Sequence, residues 1–470
     1  MKALHLDYKV YQLLRWAYRG GNTHANRYYT DQVVDNVLSY DRSSSYPDVM
    51  VNCKFPLKPF GKMIDTSLEH ITKVIKGGSA ILMKVCCWNI RTKDQFIGVP
   101  YISTSKIISP ATIKSWLVEH PTAGYVTDNG RVLMLTEAPV LMALTDIDLK
   151  IISDQYDIEH IEVIEAYCSR YEYLPDEFRQ LIVQLYKDKT SLKGMTDEES
   201  VTRYNLSKSR INCAYGMFVQ VCDNIPWVYD ESTKEFIKDR KYYNYETCSV
   251  VESEMESIYF EFIQKSLMPY QIGVWVSAWA RLRLEQMISK CGDKIVYVDT
   301  DSVKFIADKK IDFAAFNNAR IRADNKSGGY ATDIKGKVHY MGVAECETDE
   351  PIQFKTLGAK KYLYKDIKGY HLTLAGVDKK KGCEEITKAG GFNAFKNGFT
   401  FIDGGGLDIK YNDNINYYVD YDGHHLHITD NAYLYNSTYK LGQTDDYEHL
   451  IKHLEDVEYM ITLDRHFNII

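Results

Sequence analysis

The segment Tyr297-Val298-Asp299-Thr300-Asp301-Ser302 is the sequence feature that most constrains the fold. It lies between two short strand-like runs, Lys294-Ile295-Val296 and Val303-Lys304-Phe305-Ile306, and so predicts a β-hairpin with two aspartates at its tip. Because side chains two positions apart in a strand point to one face, Asp299 and Asp301 would present two negative charges together. Such a pair suits a hard divalent cation, which usually shares its oxygen ligands with substrate phosphates. The alternative is an acidic turn, since Asp also favours turns.

A second acidic residue, Asp41, lies at the end of the strand-like run Asn36-Val37-Leu38-Ser39-Tyr40. Ser44, Tyr46 and Pro47 follow it, and a proline at this point stops the strand and favours a turn or a helix start. A carboxylate at the end of a strand, with free backbone groups beyond it, is well placed to bind a metal ion. The alternative is that Asp41 caps a helix.

A third segment, Lys208-Ser209-Arg210-Ile211-Asn212-Cys213-Ala214-Tyr215-Gly216, has the spacing of a helix. Lys208, Asn212 and Tyr215 stand at positions i, i+4 and i+7, which places them on one helical face. A cation, an amide and an aromatic ring on one face can bind a phosphate, a polar edge and a base or sugar. The alternative is an ordinary amphipathic helix that ends at Gly216.

The rest of the chain predicts a mixture of strands and helices. The expected elements are β structure over 78–100, a hairpin turn at Asn129-Gly130, helix over 176–220 with a break near Gly194, a largely buried helix over 274–289, short strands over 401–440, and a helix over 446–455.

Composition limits the class of protein. A chain of 470 residues can form two to four domains or one multi-lobed enzyme. The net charge of −7 argues weakly against an acidic partner, but basic residues cluster, for example at Lys379-Lys380-Lys381. Ten cysteines without a Cys-x-x-Cys pair predict reduced thiols in a cytoplasmic protein. No stretch approaches the ~18 apolar residues of a membrane helix, so we expect no membrane association.

In their order and residue types, the three segments resemble motifs of family B DNA polymerases. Asp41-Arg42-Ser43-Ser44-Ser45-Tyr46-Pro47 resembles motif A, the segment from Lys208 to Gly216 resembles motif B, and the segment from Tyr297 to Ser302 resembles motif C. Lys360-Lys361-Tyr362 is similar to the Lys-x-Tyr element of that family, and Tyr18-Arg19-Gly20-Gly21 to its Tyr-x-Gly-Gly link. The resemblance covers roughly residues 15–440 and is closest to the protein-primed bacteriophage branch.

The resemblance implies an α+β fold with the right-hand polymerase architecture: a palm of antiparallel sheet plus helices, helical fingers and thumb, and two insertions. The implied domains are 1–35, an N-terminal linker remnant with the Tyr-x-Gly-Gly element; 36–65, palm with motif A; 66–175, an insertion resembling the terminal-protein region; 176–240, fingers with motif B and the second insertion; 241–365, palm with motif C and Lys-x-Tyr; 366–446, thumb; and 447–470, a C-terminal helix or tail.

The implied activity is template-directed DNA synthesis in phage or mobile-element replication. Deoxynucleoside triphosphates would be added to the 3′ end of a primer on a DNA template by two-metal phosphoryl transfer. Asp41 and Asp301 would bind two Mg²⁺ ions, for which Mn²⁺ can substitute, with Asp299 assisting. Lys208 would neutralise charge on the triphosphate.

The resemblance also assigns the remaining contacts to nucleotide and DNA. Tyr46 would lie under the sugar and exclude a 2′-hydroxyl, and Tyr215 would pack by the nascent base pair next to Asn212. A second fingers cation is expected at Lys193 or Lys189. The implied DNA contacts are Lys360 and Tyr362 at the primer terminus, Lys379 near the thumb, and Tyr18, Gly20 and Gly21 in the link.

Two substitutions and one absence depart from the family pattern. Ser45 stands where the family usually has Leu, and Cys213 where it usually has Ser, but neither change removes a charged group. The 40 residues before Asp41 contain no Asp-x-Glu, the first metal motif of the family's proofreading exonuclease. We therefore expect a polymerase module without that domain, with editing lost or carried by a separate exonuclease subunit, and with a protein as the primer.

Two other functions compete with this interpretation. A catalytically silent DNA-binding replication subunit would keep the fold but lose a metal carboxylate, whereas Asp41, Asp299 and Asp301 are all present. A metal-dependent phosphohydrolase could use the Asp-x-Asp pair. It would have no use for the motif that begins at Lys208 or for the Lys-x-Tyr element.

Overall fold

The structure is a computed structural model of the chain. It describes residues 6–107, 124–232, 235–247, 249–265, 269–348, 350–402, 407–411, 417–421, 424–428, 432–436 and 438–442. None of the described helices is long and apolar enough to cross a membrane. The predicted helix over 446–455 lies outside the described residues.

Ten α-helices are present in this described part of the chain. They are α1 (Tyr8–Ala17), α2 (Ser45–Asn52), α3 (Leu68–Lys76), α4 (Asp146–Gln155), α5 (Asp176–Ser191), α6 (Glu198–Gly216), α7 (Glu252–Lys265), α8 (Tyr270–Cys291), α9 (Ala314–Ser327) and α10 (Lys379–Lys388).

The strands of the described residues are numbered in chain order. They are β1 (Thr23–Ala25), β2 (Val34–Arg42), β3 (Lys54–Pro56), β4 (Gly61–Lys62), β5 (Ser79–Thr92), β6 (Tyr125–Asp128), β7 (Arg131–Leu135), β8 (Val140–Thr145), β9 (Tyr156–Tyr173), β10 (Trp227–Asp230), β11 (Glu235–Lys238), β12 (Tyr243–Asn244), β13 (Ser249–Val250), β14 (Ile295–Asp299), β15 (Ser302–Ile306), β16 (Tyr330–Thr332), β17 (Val338–Tyr340), β18 (Ala344–Cys346), β19 (Ile352–Gly358), β20 (Lys361–Asp366), β21 (Gly369–Leu374), β22 (Thr400–Phe401), β23 (Leu407–Tyr411), β24 (Tyr417–Tyr421), β25 (His424–Ile428), β26 (Ala432–Asn436) and β27 (Tyr439–Lys440).

A central antiparallel sheet of eight strands carries the predicted hairpin. Its strand order is β1-β14-β15-β2-β19-β20-β21, and β18 also pairs with β2. Val298 and Val303 of the hairpin cluster with residues of α8, whereas Val296 and Tyr297 cluster with Val37 and other residues on the opposite side of the sheet. Because both faces are covered, β14 is apolar from Ile295 to Val298, whereas β15 includes one buried cation, Lys304.

A second sheet of seven strands follows α2 in the chain, and α3 lies between its strands β4 and β5. Its order is β3-β9-β5-β7-β6, with β4 paired to β9 and β8 paired to β5. The predicted β structure over 78–100 is confirmed for the long strand β5, which ends at Thr92, and is wrong for 93–100, which form turns and loop. The predicted hairpin turn is confirmed between β6 and β7. Asn129 and Gly130 both have positive φ, of 45° and 74°, as the tight hairpin turns require.

Two helices, α5 and α6, pack against each other where the fingers are expected. The chain reverses between them around Gly194, whose φ of +91° suits glycine, so the predicted break is confirmed. The predicted buried helix is α8, which approaches the segment just after α6 closely at Gly273. A Cβ on Gly273 would press against Val219 and Phe218, just beyond α6.

The region where the thumb is expected forms a smaller core. Leu372, Leu374, Ile386, Phe395 and Phe401 cluster there around α10. The short strands predicted over 401–440 are confirmed in the pairs β22–β27, β23–β26 and β24–β25. Among the described residues between 366 and 446, helix is therefore the smaller part, and paired strands make up most of the regular structure.

Candidate active site

The site begins where β2 and the hairpin β14–β15 lie side by side. The strand register pairs Ser302 with Asp41, and the amide of Arg42 donates to the carbonyl of Asp301 at 3.0 Å. Asp41 and Asp301, which are distant in the sequence, are thereby brought to adjacent ends of neighbouring strands.

The turn at the hairpin tip places the two aspartates of motif C in different surroundings. Thr300 adopts a φ of +59°, and the amide of Asp301 donates to the carbonyl of Asp299 at 2.6 Å. This tight turn interrupts the two-residue alternation on which the sequence prediction relied. Asp301 lines the same cavity as Asp41, whereas Asp299 does not line it and pairs with Lys360, whose Nζ lies 2.6 Å from Asp299 Oδ2.

A cavity of about 830 Å³ lies between β2, the start of α2, the helices α5 and α6, and the segment around β18. Polar side chains dominate its walls. They are the carboxylates of Asp41, Asp301, Glu345 and Glu347, the amines of Lys189, Lys193 and Lys208, the phenols of Tyr46, Tyr204 and Tyr215, and the amide of Asn212. Every residue for which we predicted nucleotide binding is in this group.

The two aspartates on the carboxylate wall have no direct partner in the part of the chain that the structure describes. Among the described residues, neither the Asp41 nor the Asp301 carboxylate forms a hydrogen bond or a salt bridge. Burial, followed by repulsion from Asp301, raises the pKa of Asp41 to about 8. Burial is also the main cause that raises the pKa of Asp301 to about 6. A divalent cation between these groups would remove the repulsion.

This donor set fits Mg²⁺ in part. No group of three or more His, Cys, Asp or Glu side chains that could hold a metal ion occurs in the described ranges. Mg²⁺, however, is usually bound by one or two carboxylates together with substrate phosphates and water. Two carboxylates in an open polar cavity therefore fit an ion that arrives with a phosphate-bearing substrate.

The opposite wall is positive. Lys189 donates from Nζ to Ser44 Oγ at 2.8 Å and is half-buried, whereas Lys193 and Lys208 are exposed. Burial, together with the nearby charges of Lys193 and Lys208, lowers the pKa of Lys189 to about 8. Three cations that face two carboxylates across one cavity suit a polyanion such as a triphosphate.

Stacked tyrosines join the two walls. The rings of Tyr46 and Tyr215 lie 4.2 Å apart between centroids, with an interplanar angle of 19°. The hydroxyls of Tyr18 and Tyr215 are 3.0 Å apart and share a hydrogen bond. A residue of the Tyr-x-Gly-Gly element therefore supports the aromatic stack from outside the cavity, an arrangement that the sequence did not suggest.

A buried ion pair fixes the turn from β2 into α2. Arg42 and Asp48 are both fully buried, with Nη2 2.9 Å from Oδ2. Arg42 also donates to Ser45 Oγ at 2.8 Å, which gives the unusual serine of motif A a structural role. Removing one partner of such a pair would strand a buried charge.

The predicted DNA contacts lie at the rim and beyond it. Besides its ion pair, Lys360 donates its amide to the Tyr297 hydroxyl at 2.9 Å, and the Tyr362 ring packs 5.1 Å from that of Tyr297. Lys379 is not part of the first cavity. It lines a second cavity of about 550 Å³, which it shares with Tyr362 and Glu347.

Two carboxylates of the first cavity were missed in the sequence. Glu345 pairs in register with Asp41, and Glu347 accepts a hydrogen bond from Ser39 Oγ at 2.7 Å. The available signal was the pattern Ala344-Glu345-Cys346-Glu347, in which two acidic residues two positions apart follow a short apolar run. Nothing in the sequence alone pointed to its pairing with β2.

Comparison with known proteins assigns the chain to a class. A family model described as "DNA polymerase type B, organellar and viral" matches residues 2–293. The chain belongs to this family of type B DNA polymerases. The predicted membership is therefore confirmed.

The individual relatives are phage proteins. A DNA polymerase of Bacillus phage Nf is 26% identical over 355 residues, which cover 72% of this chain and 52% of the relative. A DNA polymerase of Bacillus phage phi29 is 24% identical over 305 residues, covering 64% and 43%. The chain thus spans about half the length of the curated relatives that it matches.

Solved structures support the fold. Phi29 DNA polymerase in complex with primer-template DNA and incoming nucleotide substrates matches 93% of this chain and 63% of its own, with a TM-score of 0.58 and 17% identity. Its post-translocation binary complex with primer-template DNA gives a TM-score of 0.59 at 18% identity. The expected polymerase architecture is confirmed at the level of the fold.

Proposed function

We propose that this chain is a template-directed DNA polymerase that extends a primer 3′ end with deoxynucleotides in phage or mobile-element DNA replication, in the host cytoplasm. The observation that carries the proposal is the single cavity in which Asp41 and Asp301 face three lysines across a tyrosine stack. The names of the relatives and the complexes formed by phi29 DNA polymerase support the same substrates, primer-template DNA and deoxynucleoside triphosphates.

In this proposal Asp41 and Asp301 hold Mg²⁺, for which Mn²⁺ can substitute, with Asp299 in support. When bound, the two ions would stabilise charge on the attacking and leaving oxygens of the transferred phosphoryl group. Lys208 and the neighbouring lysines bind the triphosphate and align it with the primer terminus. Positioning and charge stabilisation of this kind supply most of the catalysis in phosphoryl transfer.

The other residues place the base, the sugar and the primer. Tyr46 limits the space below the sugar and Tyr215 packs by the new base pair, since both line the cavity and their rings stack on each other. Lys360 and Tyr362 hold the primer terminus beside the hairpin. The assignment of palm, insertions, fingers and thumb to their ranges of the chain is part of this proposal.

Primer extension by the purified chain tests the function directly. We expect template-dependent extension of a labelled DNA primer in the presence of Mg²⁺ and all four deoxynucleoside triphosphates. DNA binding without any extension would instead support the silent replication subunit. Omitting single nucleotides serves as the control, because extension must then stop at the matching template base.

Protein priming and the absence of proofreading by these residues are further parts of the proposal. Incubation with a co-expressed candidate primer protein and one labelled nucleotide would reveal a covalent nucleotide–protein product. Incubation with a mismatched primer 3′ end and Mg²⁺ should leave that end intact. Removal of the mismatch would contradict the absence of proofreading and would leave the proposal of protein priming unaffected.

Truncation of Tyr46 is expected to relax sugar selection. Tyr46→Ala removes the ring that stacks on Tyr215 and opens space for a 2′-hydroxyl. Ribonucleotide incorporation relative to deoxynucleotide incorporation should rise by roughly 10- to 100-fold, the range over which shape alone discriminates. Single-nucleotide incorporation with matched dNTP and rNTP measures this ratio. Tyr46→Phe keeps the ring and should keep the selectivity, whereas an unchanged ratio in Tyr46→Ala would refute the proposed role.

We expect the affinity of the protein for the nucleotide to depend on pH through the charge of Lys189. Because the pKa of Lys189 is lowered to about 8, its amine carries a positive charge below that pH and loses the charge above it. The KM for the nucleotide should therefore rise as the pH increases through this value. In Lys189→Arg the guanidinium stays charged, so the rise should be smaller. Steady-state KM values on either side of the pKa provide the measurement, and identical profiles would contradict a role for Lys189.

A further inference from the structure

Three consecutive residues, Gly21, Asn22 and Thr23, contact the tip of the metal-binding hairpin. The carbonyl of Asn22 accepts a hydrogen bond from the amide of Thr300 at 2.8 Å. Thr23 Oγ1 donates to Asp299 Oδ1 at 3.1 Å, and Thr23 pairs with Asp299 where β1 meets β14. The tip is thus held through its backbone and through one of its carboxylates.

Gly21 makes the third contact, because its lack of a side chain lets its backbone pack directly against Thr300. A Cβ at this position would lie 2.5 Å from Thr300 Oγ1 and 2.6 Å from Thr300 Cγ2, closer than real Cβ contacts come. The neighbouring Gly20 differs, because a Cβ there would meet nothing within 4 Å. Only the second glycine of the Tyr-x-Gly-Gly element therefore fits closely against the hairpin.

Asn22 is itself anchored from other parts of the fold. It is 2% exposed, and its Oδ1 accepts a hydrogen bond from Arg131 Nη2 at 2.8 Å. Its Nδ2 donates to Glu285 Oε1 at 3.4 Å, and Gln155 Nε2 donates to Glu285 Oε2 at 2.8 Å. The second sheet, α4 and α8 thus converge on the residue whose carbonyl holds Thr300.

The hairpin tip needs such support because its conformation is unfavourable by itself. Thr300 is β-branched and adopts a φ of +59°, a region that side chains of this type rarely occupy. Residues in this region persist when the surrounding contacts determine their conformation. A shift of the tip would move Asp301 relative to Asp41, which sets the spacing of the two carboxylates.

We propose that Gly21, Asn22 and Thr23 form a tip clamp, a positioning element that holds the hairpin so that Asp301 and Asp41 can bind metal together. The inference rests on the proposed function for the use of that metal. It assigns to one part of the Tyr-x-Gly-Gly element a role in ordering the catalytic carboxylates, separate from any contact with DNA.

Gly21→Ala tests the tip clamp. Displacement of Thr300 should weaken Mn²⁺ binding, measured by calorimetry on the protein without DNA, by roughly 10- to 100-fold, as loss of supporting contacts does at other metal sites. In the metal-free protein, amide hydrogen exchange in the peptide that spans the hairpin should become faster, because the Thr300 amide loses its partner. Primer extension should need more Mg²⁺ for half-maximal rate.

Gly20→Ala is the matched control. It makes the same chemical change one position earlier, where the added methyl group has open space. Whatever it does to DNA affinity, Gly20→Ala should leave Mn²⁺ affinity and hairpin exchange at their wild-type values. Equal losses in the two variants would overturn the tip clamp, as would wild-type metal binding and exchange in Gly21→Ala.

Removal of the clashing atoms should rescue the defect. Thr300→Gly deletes the atoms that the methyl group added by Gly21→Ala would strike, and glycine tolerates the positive φ. The double variant Gly21→Ala/Thr300→Gly should therefore bind Mn²⁺ more tightly than Gly21→Ala alone, and a failure to do so would contradict the steric mechanism. If Gly21→Ala does not fold, Thr23→Val, which keeps the shape but deletes the donor to Asp299, should show faster hairpin exchange; unchanged exchange would refute the inference.

These measurements separate two failures. Absence of extension by the wild-type chain would count against the polymerase, yet metal binding and hydrogen exchange would still report on the hairpin. Extension by the wild type with identical metal binding in all glycine variants would count against the tip clamp alone.

Discussion

Asp301→Asn is expected to abolish primer extension while leaving binding of primer-template DNA unchanged. The substitution preserves the size of the side chain but removes the negative charge that faces the cavity next to Asp41. Because bound metal ions supply several kcal/mol of transition-state stabilisation, we expect the rate to fall by about three orders of magnitude or more. Single-turnover incorporation measures the chemical step, and an electrophoretic shift of labelled DNA measures binding. Normal extension would refute the metal assignment.

Asp299→Asn provides the matched comparison within the same hairpin. Asp299 lies outside the cavity and pairs with Lys360. We therefore expect Asp299→Asn to lower the rate of primer extension less than Asp301→Asn does. A loss as large as that of Asp301→Asn would contradict the unequal roles of the two aspartates.

The metal-free protein offers a check that Asp301→Asn is folded. Since repulsion from Asp301 contributes to the raised pKa of Asp41, removing this charge should stabilise the folded state once Asp41 ionises. Asp301→Asn should then melt at a higher temperature than the wild type at alkaline pH without Mg²⁺, and the difference should shrink towards acidic pH. Calorimetry at two pH values would show the trend.

Lys208→Ala should produce the second large effect. Lys208 projects from helix α6 into the cavity opposite the two carboxylates, where it would contact the triphosphate. We expect kcat/KM for the nucleotide to fall by about 10²- to 10³-fold, the usual cost of removing one aligned group that stabilises transition-state charge. Incorporation of one nucleotide across a range of its concentrations separates the effects on kcat and KM.

Two control variants make this test specific. Lys187 is exposed on α5 and does not line the cavity, so Lys187→Ala removes the same charge outside the site and should leave kcat/KM near the wild-type value. Lys208→Arg keeps a positive charge and should lose less than Lys208→Ala. If Lys187→Ala and Lys208→Ala are equally impaired, the general positive field of α5 and α6, and not a direct contact, accounts for the result.

Sequence patterns predicted those parts of the site that depend on local order. The hairpin, the strand that carries Asp41 near its end and the helical face of Lys208, Asn212 and Tyr215 each follow from short-range periodicity and turn chemistry. The family resemblance linked the three segments. Their meeting around one cavity is a property of the tertiary structure.

Features that depend on pairing between distant segments could not be predicted from the sequence. Glu345 and Glu347 reach the cavity because β18 pairs with β2, and no local pattern specifies that partner. The hydrogen bond between Tyr18 and Tyr215 and the contact of Lys189 with Ser44 also join distant segments. The left-handed turn at Thr300 altered the expected arrangement of Asp299 and Asp301, because alternation holds only within a continuous strand.

The pairing of β2 with β15 has a consequence for biosynthesis. The second sheet and the helices α5, α6 and α8 lie between these strands in the chain, so β2 leaves the ribosome long before its partner exists. Contacts between such distant segments form slowly, because a large loop must close first. During translation β2 therefore has an unpaired edge that other nascent chains can join, which makes aggregation a hazard of expression. We expect slower translation at low temperature, or a chaperone that shields this edge, to increase the yield of active protein.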